Sequence, residues 1–302
     1  MTAVTSPLLA TILGADADIW RYQPHPEVWI LVGCAIGLGL YATRVIGPKA
    51  VAPGQEIVSR SNKRAFVAAV VLLWLASDWP MHDISEEYLY FVHMFQHLLI
   101  TFVIPPLFLM SMPEWLGRLI VSGDGSAGVW IKRLSRPVFA GFVFNFFVAI
   151  THLTQVVNTT VANGPFHYAI HLAVFIAAVL MWIPVVGPLP ELRISLSGQM
   201  LYLFLMSILP TIPAAFLTFA ETPLYEAYNH VVRLWGISAA ADQQAAGVVM
   251  KLGGGMYLWS LIGVLFFRWS LREQRQASPT ELTYERVTEA FDRAGPAPAE
   301  PV

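Results

Sequence analysis

Residues 88–110 read YLYFVHMFQHLLITFVIPPLFLM. The stretch carries no Asp, Glu, Lys or Arg over 23 residues, and at about 1.5 Å of rise per residue a helix of that length crosses a hydrocarbon core of roughly 30 Å. Its apolar residues run on without two-residue alternation, so it reads as a helix and not as a barrel strand. His93, Gln96 and His97 then sit inside a membrane, where an ionisable side chain is costly and tends to mark function.

Working outward from this segment, the same criterion marks seven helices, at about 27–47, 65–80, 88–110, 137–156, 166–186, 199–220 and 244–267. The whole chain agrees: its 302 residues are 56% hydrophobic and only 13% charged, with a mean hydropathy of +0.58, whereas a soluble domain carries about 25% charged residues. The expected fold class is all-α, a polytopic membrane helix bundle occupying 1–267. A cytoplasmic tail follows at 268–302, with a helix near Glu281 to Arg293 opened by Ser278-Pro279, then a disordered Ala/Pro end. No repeat and no second domain is evident. The first 19 residues lack a basic start and carry Asp16 and Asp18, so no cleavable leader is expected. A net charge of −2 argues against a nucleic-acid partner, and the lone Cys34 excludes an internal disulfide or a paired-thiolate metal clamp.

Basic residues set the expected orientation. Arg44, Lys49, Arg60, Lys63 and Arg64 follow the first span; Arg118, Lys132, Arg133 and Arg136 follow the third; Arg268, Arg272 and Arg275 follow the last. The alternate loops are nearly free of Lys and Arg: the one with Asp83, Glu86 and Glu87 has none, the loop from Gln155 to Pro165 has no charge, and the loop after the sixth span has only Arg233. Basic loops stay in the cytoplasm, so the N-terminus lies outside and the C-terminus inside. All eight histidines then fall on the extracytoplasmic side.

Four of them form two H-x-x-x-H pairs, His93/His97 and His167/His171. Residues four apart share a helix face, so each pair can offer two imidazoles to one ion. His93 and His97 lie roughly one to two and a half turns below the outer surface, His167 at it and His171 a turn deeper. A short loop joins the fourth and fifth spans and brings His152 beside the second pair, with Asn145 on its face. The expected metal ligands are His93, His97, His152, His167 and His171, with Asp78, Asp242, Gln243 and Gln96 as supporting partners. His25, His82 and His230 read as loop residues, Met81 and Met94 as packing. Lys251, two turns into the last span, is expected to look into the bundle and to pair with Glu221 or Asp242. Pro105-Pro106, Pro184, Pro210 and Pro213 should kink helices and free carbonyls. Imidazole suits Zn, Cu, Fe or Ni. A site that opens outward without a thiol fits copper held for another membrane protein better than a proton-driven pump.

The run His93-Met94-Phe95-Gln96-His97-Leu98-Leu99, followed by Pro105-Pro106 and Pro113, resembles the H-M-x-Q-H-x-L…P-P signature of the CtaG family of cytochrome c oxidase assembly factors, the caa3-type membrane-embedded group. Thr151-His152, His167-x-x-x-His171 leading to Met181-Trp182-Ile183-Pro184, Pro223-Leu224-Tyr225 and Asp242-Gln243-Gln244-Ala245-Ala246-Gly247 follow that family in order, over about 65–267. The chain departs from it at Leu153-Thr154, where the family tends to a proline, and at Lys251. The resemblance implies a multi-pass bacterial plasma-membrane protein, not an enzyme. It would help assemble haem-copper oxidase and handle copper for it as a metallochaperone, with oxidase subunits and the lipid bilayer as partners.

Two other classes compete. Facing histidines can ligate haem, and Phe91, Phe95, Phe166 and Phe175 would suit its pocket. A metal-dependent membrane hydrolase would use Asp242 or Glu221 as base, but the H-E-x-x-H cue of such enzymes is missing.

Overall fold

The computed structural model describes residues 20–121, 126–229, 233–277 and 284–294, and no strand occurs among them. Helices α1 (Pro26–Ala50), α2 (Arg60–Ser77), α3 (Met81–Tyr88) and α4 (Tyr90–Ser111) are followed by the short α5 (Glu114–Val121) and α6 (Ser126–Leu134). Then come α7 (Pro137–Thr151), α8 (Thr154–Ala162), α9 (Gly164–Val186), α10 (Leu196–Phe219), α11 (Ala239–Gln274) and α12 (Tyr284–Ala294). Five of these, α1, α4, α9, α10 and α11, are long and apolar enough to cross a membrane singly. Two bent pairs, α2 with α3 at 49° and Gly128–Leu134 with α7 at 79°, bring the number to seven if each is one span. The protein is a polytopic helical bundle.

Several expected boundaries move: the span expected over 65–80 is Arg60–Ser77, the one expected over 244–267 is Ala239–Gln274 and enters the segment expected as tail, and two changes fall beside the histidines. The helix expected over 137–156 stops at Thr151, because His152 leaves helical geometry (φ −98°, ψ 1°) and Leu153 is extended. The uncharged segment expected as a loop after Gln155 is instead α8, which turns Val157 inward. A Thr/Val-rich stretch with one buried residue carries too weak a period to read as a helix. The tail helix lies at Tyr284–Ala294; the disordered end and the loop position expected for His230 fall outside the described residues.

Around the bundle, Leu38, Phe142, Phe216 and Met256 point outward, as hydrocarbon rather than water requires. Inside, α9 packs against α4 and α7, α2 against α4, and α10 against α11. Ala177, Ala178, Met181 and Trp182 of α9 meet Phe102, Phe144, Leu203 and Leu258. Pro105 has no N–H to return to the Thr101 carbonyl four residues back, and the α4 ladder widens into a π-type turn over Leu99–Val103. The Trp182 indole of α9 donates to that freed oxygen at 2.9 Å. One proline thus makes a polar joint that locks α4 to α9, the two helices that carry the histidine pairs.

Candidate metal centre

The start of α4 is held from outside its own sequence. The first N–H groups of a helix have no internal partner, and here Asp242 of α11 accepts from Tyr90 N at 3.0 Å and Phe91 N at 2.9 Å. Arg233 lies 3.7 Å from the same carboxylate. Asp242 therefore caps α4 in trans and sets the height of His93 one turn later. At α9, Asn163 caps locally, its side chain accepting from Phe166 N at 3.0 Å.

These two starts lie at the same end of the bundle, and their pairs meet. Ring centroids stand 4.5 Å apart for His93/His97, 4.8 Å for His97/His171, 5.7 Å for His93/His171 and 4.2 Å for His167/His171. Ligand atoms of His93, His97 and His171 all fall within 4.8 Å of one another, and those of Glu86, His167 and His171 do the same. His171 belongs to both sets.

Glu86 is the residue that the sequence reading missed. From α3 it places Oε1 2.8 Å from His93 Nδ1 and Oε2 3.5 Å from His167 Nδ1. A carboxylate on Nδ1 fixes the tautomer that leaves Nε2 free and makes it more basic. Its signal was available: Glu86 stands seven residues before His93, in a segment without Lys or Arg that needs a partner for its acids.

His152 lines the same small cavity, of about 30 Å³, with Glu86, His93, His97, His167 and His171, but stands apart from the two ligand sets. Its Nδ1 donates to the Val148 carbonyl at 2.6 Å, and its buried Nε2 has no partner among the described residues. Val157 of α8 and Tyr228 close the cavity. Burial, with Glu86 and Asp242 nearby, holds the Tyr228 phenol well above its ordinary pKa, so it remains a neutral group there.

The expected supporting residues take other partners. Asp78 accepts from Trp29 Nε1 at 2.9 Å, Trp74 Nε1 at 2.6 Å and its neighbour Trp79 N at 2.9 Å, tying α1 to α2. Gln96 gives its amide to the Ala76 carbonyl at 2.6 Å and receives Ser85 at 3.0 Å, which joins α4 to the α2–α3 bend. Gln243 accepts from Leu224 N at 2.6 Å, and Asn145 donates to Gly141 O at 2.8 Å and meets Met206 Sδ at 3.3 Å. Gln96 sits on α4 itself, and Asp242 reaches α4 from another helix, through backbone.

Lys251 corrects an expectation: it is exposed and donates to Thr211 Oγ1 at 2.5 Å, with neither Glu221 nor Asp242 as partner. A π-type turn over Val249–Gly253 is the reason. Lys251 sits within that wider turn, where each residue advances by less than the usual rotation of about 100°, so it falls off the inward face of Gln243 and Gly247.

The family model described as Cytochrome c oxidase caa3 assembly factor (Caa3_CtaG) matches residues 39–272, reaching into α1 beyond the 65–267 of the motif resemblance. Comparison with curated proteins and with solved structures gave no match.

Proposed function

The chain belongs to the cytochrome c oxidase caa3 assembly factor family, and from that premise we propose that it binds copper in its histidine cluster and delivers it to the haem-copper oxidase during assembly. The observation that carries the reading is the convergence of His93, His97 and His171, from two helices, to ligand atoms within 4.8 Å of one another. Bonds of about 2 Å to a shared ion need no more than a small closing of such a set. His167 supplies a further imidazole beside His171, and His152, whose Nε2 has no partner among the described residues, lines the same cavity, which Met94, Val156, Val157, Val161 and Ile170 complete with apolar surface. Copper is cargo here: it arrives, rests on imidazoles and leaves by docking, with no turnover chemistry of the protein's own.

Site size supports this over haem. Imidazole donors suit copper as they suit Zn, Fe or Ni, so the choice of copper comes from the family and not from the ligand set. The cavity of about 30 Å³ accommodates an ion with a water, whereas pockets for organic ligands run to about 300 Å³ or more, which disfavours haem. Both Glu86 oxygens face ring nitrogens and both Asp242 oxygens accept from the first N–H groups of α4, so these two carboxylates orient and cap, which disfavours them as a hydrolytic base. By the distribution of Lys and Arg the cluster opens to the extracytoplasmic side of a bacterial plasma membrane.

Equilibrium copper binding to the purified protein tests the reading. Wild type is expected to bind one or two ions tightly, and a variant with His93, His97, His167 and His171 changed to Ala to bind none at the same affinity. Equal stoichiometry in the two ends the proposal.

A further inference from the structure

Two histidines that read as plain loop residues continue the cluster toward the surface. His82 at the start of α3 stands 6.4 Å, centroid to centroid, from His167, and His25 at the start of α1 stands 4.8 Å from His82. With His167/His171 at 4.2 Å and His171/His97 at 4.8 Å, five imidazoles form one file from the mouth of the bundle to the deep set. We propose that His82, together with His25 and Asp83, is a loading site that takes the incoming cation first and hands it to His167. This rests on the copper reading above and adds to it a weak outer site that the ion occupies in transit and leaves empty at equilibrium.

The spacing fits a hand-over. Two metal–nitrogen bonds of about 2 Å, extended to the ring centres, hold imidazole centroids roughly 6 Å apart when one ion bridges them. The widest gap in the file is 6.4 Å and the others are shorter. Each step can therefore form its new bond before the old one breaks, so the ion is never stripped of nitrogen ligands in a medium that cannot solvate it. Charge and oxidation state do not change along the way.

The open donors are His82 and one oxygen of Asp83, while His25 is held by Glu27 Oε1 at 3.2 Å from its Nδ1 and by Asp83 on its Nε2. The His82 imidazole makes no hydrogen bond among the described residues, its contacts being the rings of His25 and His167. Asp83 is 5% exposed, and its Oδ1 lies 2.6 Å from His25 Nε2 while its buried Oδ2 has no partner among the described residues. A buried, half-satisfied carboxylate beside an unbonded imidazole is costly unless something cationic visits it. The segment 78–97 holds Asp78, Asp83, Glu86 and Glu87 and no Lys or Arg, so the mouth concentrates cations. α1 delivers its part of the site because Trp29 and Glu27 anchor it, to Asp78 at 2.9 Å and Tyr168 at 3.2 Å.

The test uses the purified full chain and Cu(I), supplied anaerobically from its complex with a chromophoric chelator, with loading rate and final stoichiometry read separately. A His25→Gln/His82→Gln protein is expected to reach wild-type stoichiometry at least about tenfold more slowly, and His82→Asn alone to show the same sign. In a His97→Ala/His171→Ala protein, weak copper uptake is expected to persist and to vanish when His82→Gln is added. Wild-type loading rates in the outer variants, or residual uptake indifferent to His82, overturn the inference alone. A wild-type protein that takes up no copper overturns both the copper reading and this one.

Discussion

Glu86 links Nδ1 of His93 and Nδ1 of His167 through its two oxygens, and it acts on the site through those rings. Its amide analogue keeps the shape and removes the charge, so Glu86→Gln is expected to weaken copper binding by about 10- to 100-fold with stoichiometry unchanged. A competition titration against a chelator of known affinity reads this, and an unchanged affinity would show the carboxylate to be a bystander. The residue was hard to read because its partner sits across a helix boundary at Leu89, where the 3.6-residue period breaks. The two histidine pairs needed no such help, since i,i+4 spacing inside one apolar run is a local property. Asp78 and Gln96 show the converse: polar residues at the right depth, claimed instead by tryptophans and by a helix-end carbonyl.

At the scale of elements, the position of α4 depends on joints that no local period reports. Asp242 satisfies two N–H groups of its first turn. Asp242→Ala leaves both buried and unpaired, at about 1–3 kcal/mol each, and is expected to lower the denaturant resistance of the purified protein by at least about 2 kcal/mol. Asp242→Asn, which keeps one acceptor, should lose less. At the α10–α11 crossing, a Cβ on Gly247 would run into Thr218 Oγ1 and stand 2.6 Å from the Ala214 carbonyl. Gly247→Ala therefore forces those helices apart and should lower thermal stability by about 1–3 kcal/mol; a melting temperature equal to wild type would contradict the contact. The kinks at Pro105 and the π-type turns were half legible. A proline announces a lost hydrogen bond, but only packing shows that Trp182 restores it and that Lys251 has rotated outward.

For the whole molecule, the bundle fixes which helices begin at one end, while the membrane-facing sense follows from charge. α4 and α9 start together, as their interleaved histidines require. Lys and Arg cluster after α1, around α5 and α6, and at the exit of α11, so the C-terminus is expected in the cytoplasm. A fluorescent protein fused after Val302 should then fluoresce, and an alkaline phosphatase fused there should stay inactive; the reverse result would invert the bundle and turn the cluster inward. The sequence by itself determined the helical class, the rough limits of the spans, whose structural count is five to seven, and the two histidine pairs, because hydropathy, charge and i,i+4 spacing are local quantities that survive without a fold. Only the tertiary structure decided which imidazoles share a cavity, that Glu86 joins them, that α8 covers them and that Lys251 does not. Those outcomes depend on helix rotations set by a proline, a π-type turn and a cap donated from a distant helix, and rotation is a property of packing, not of any one segment.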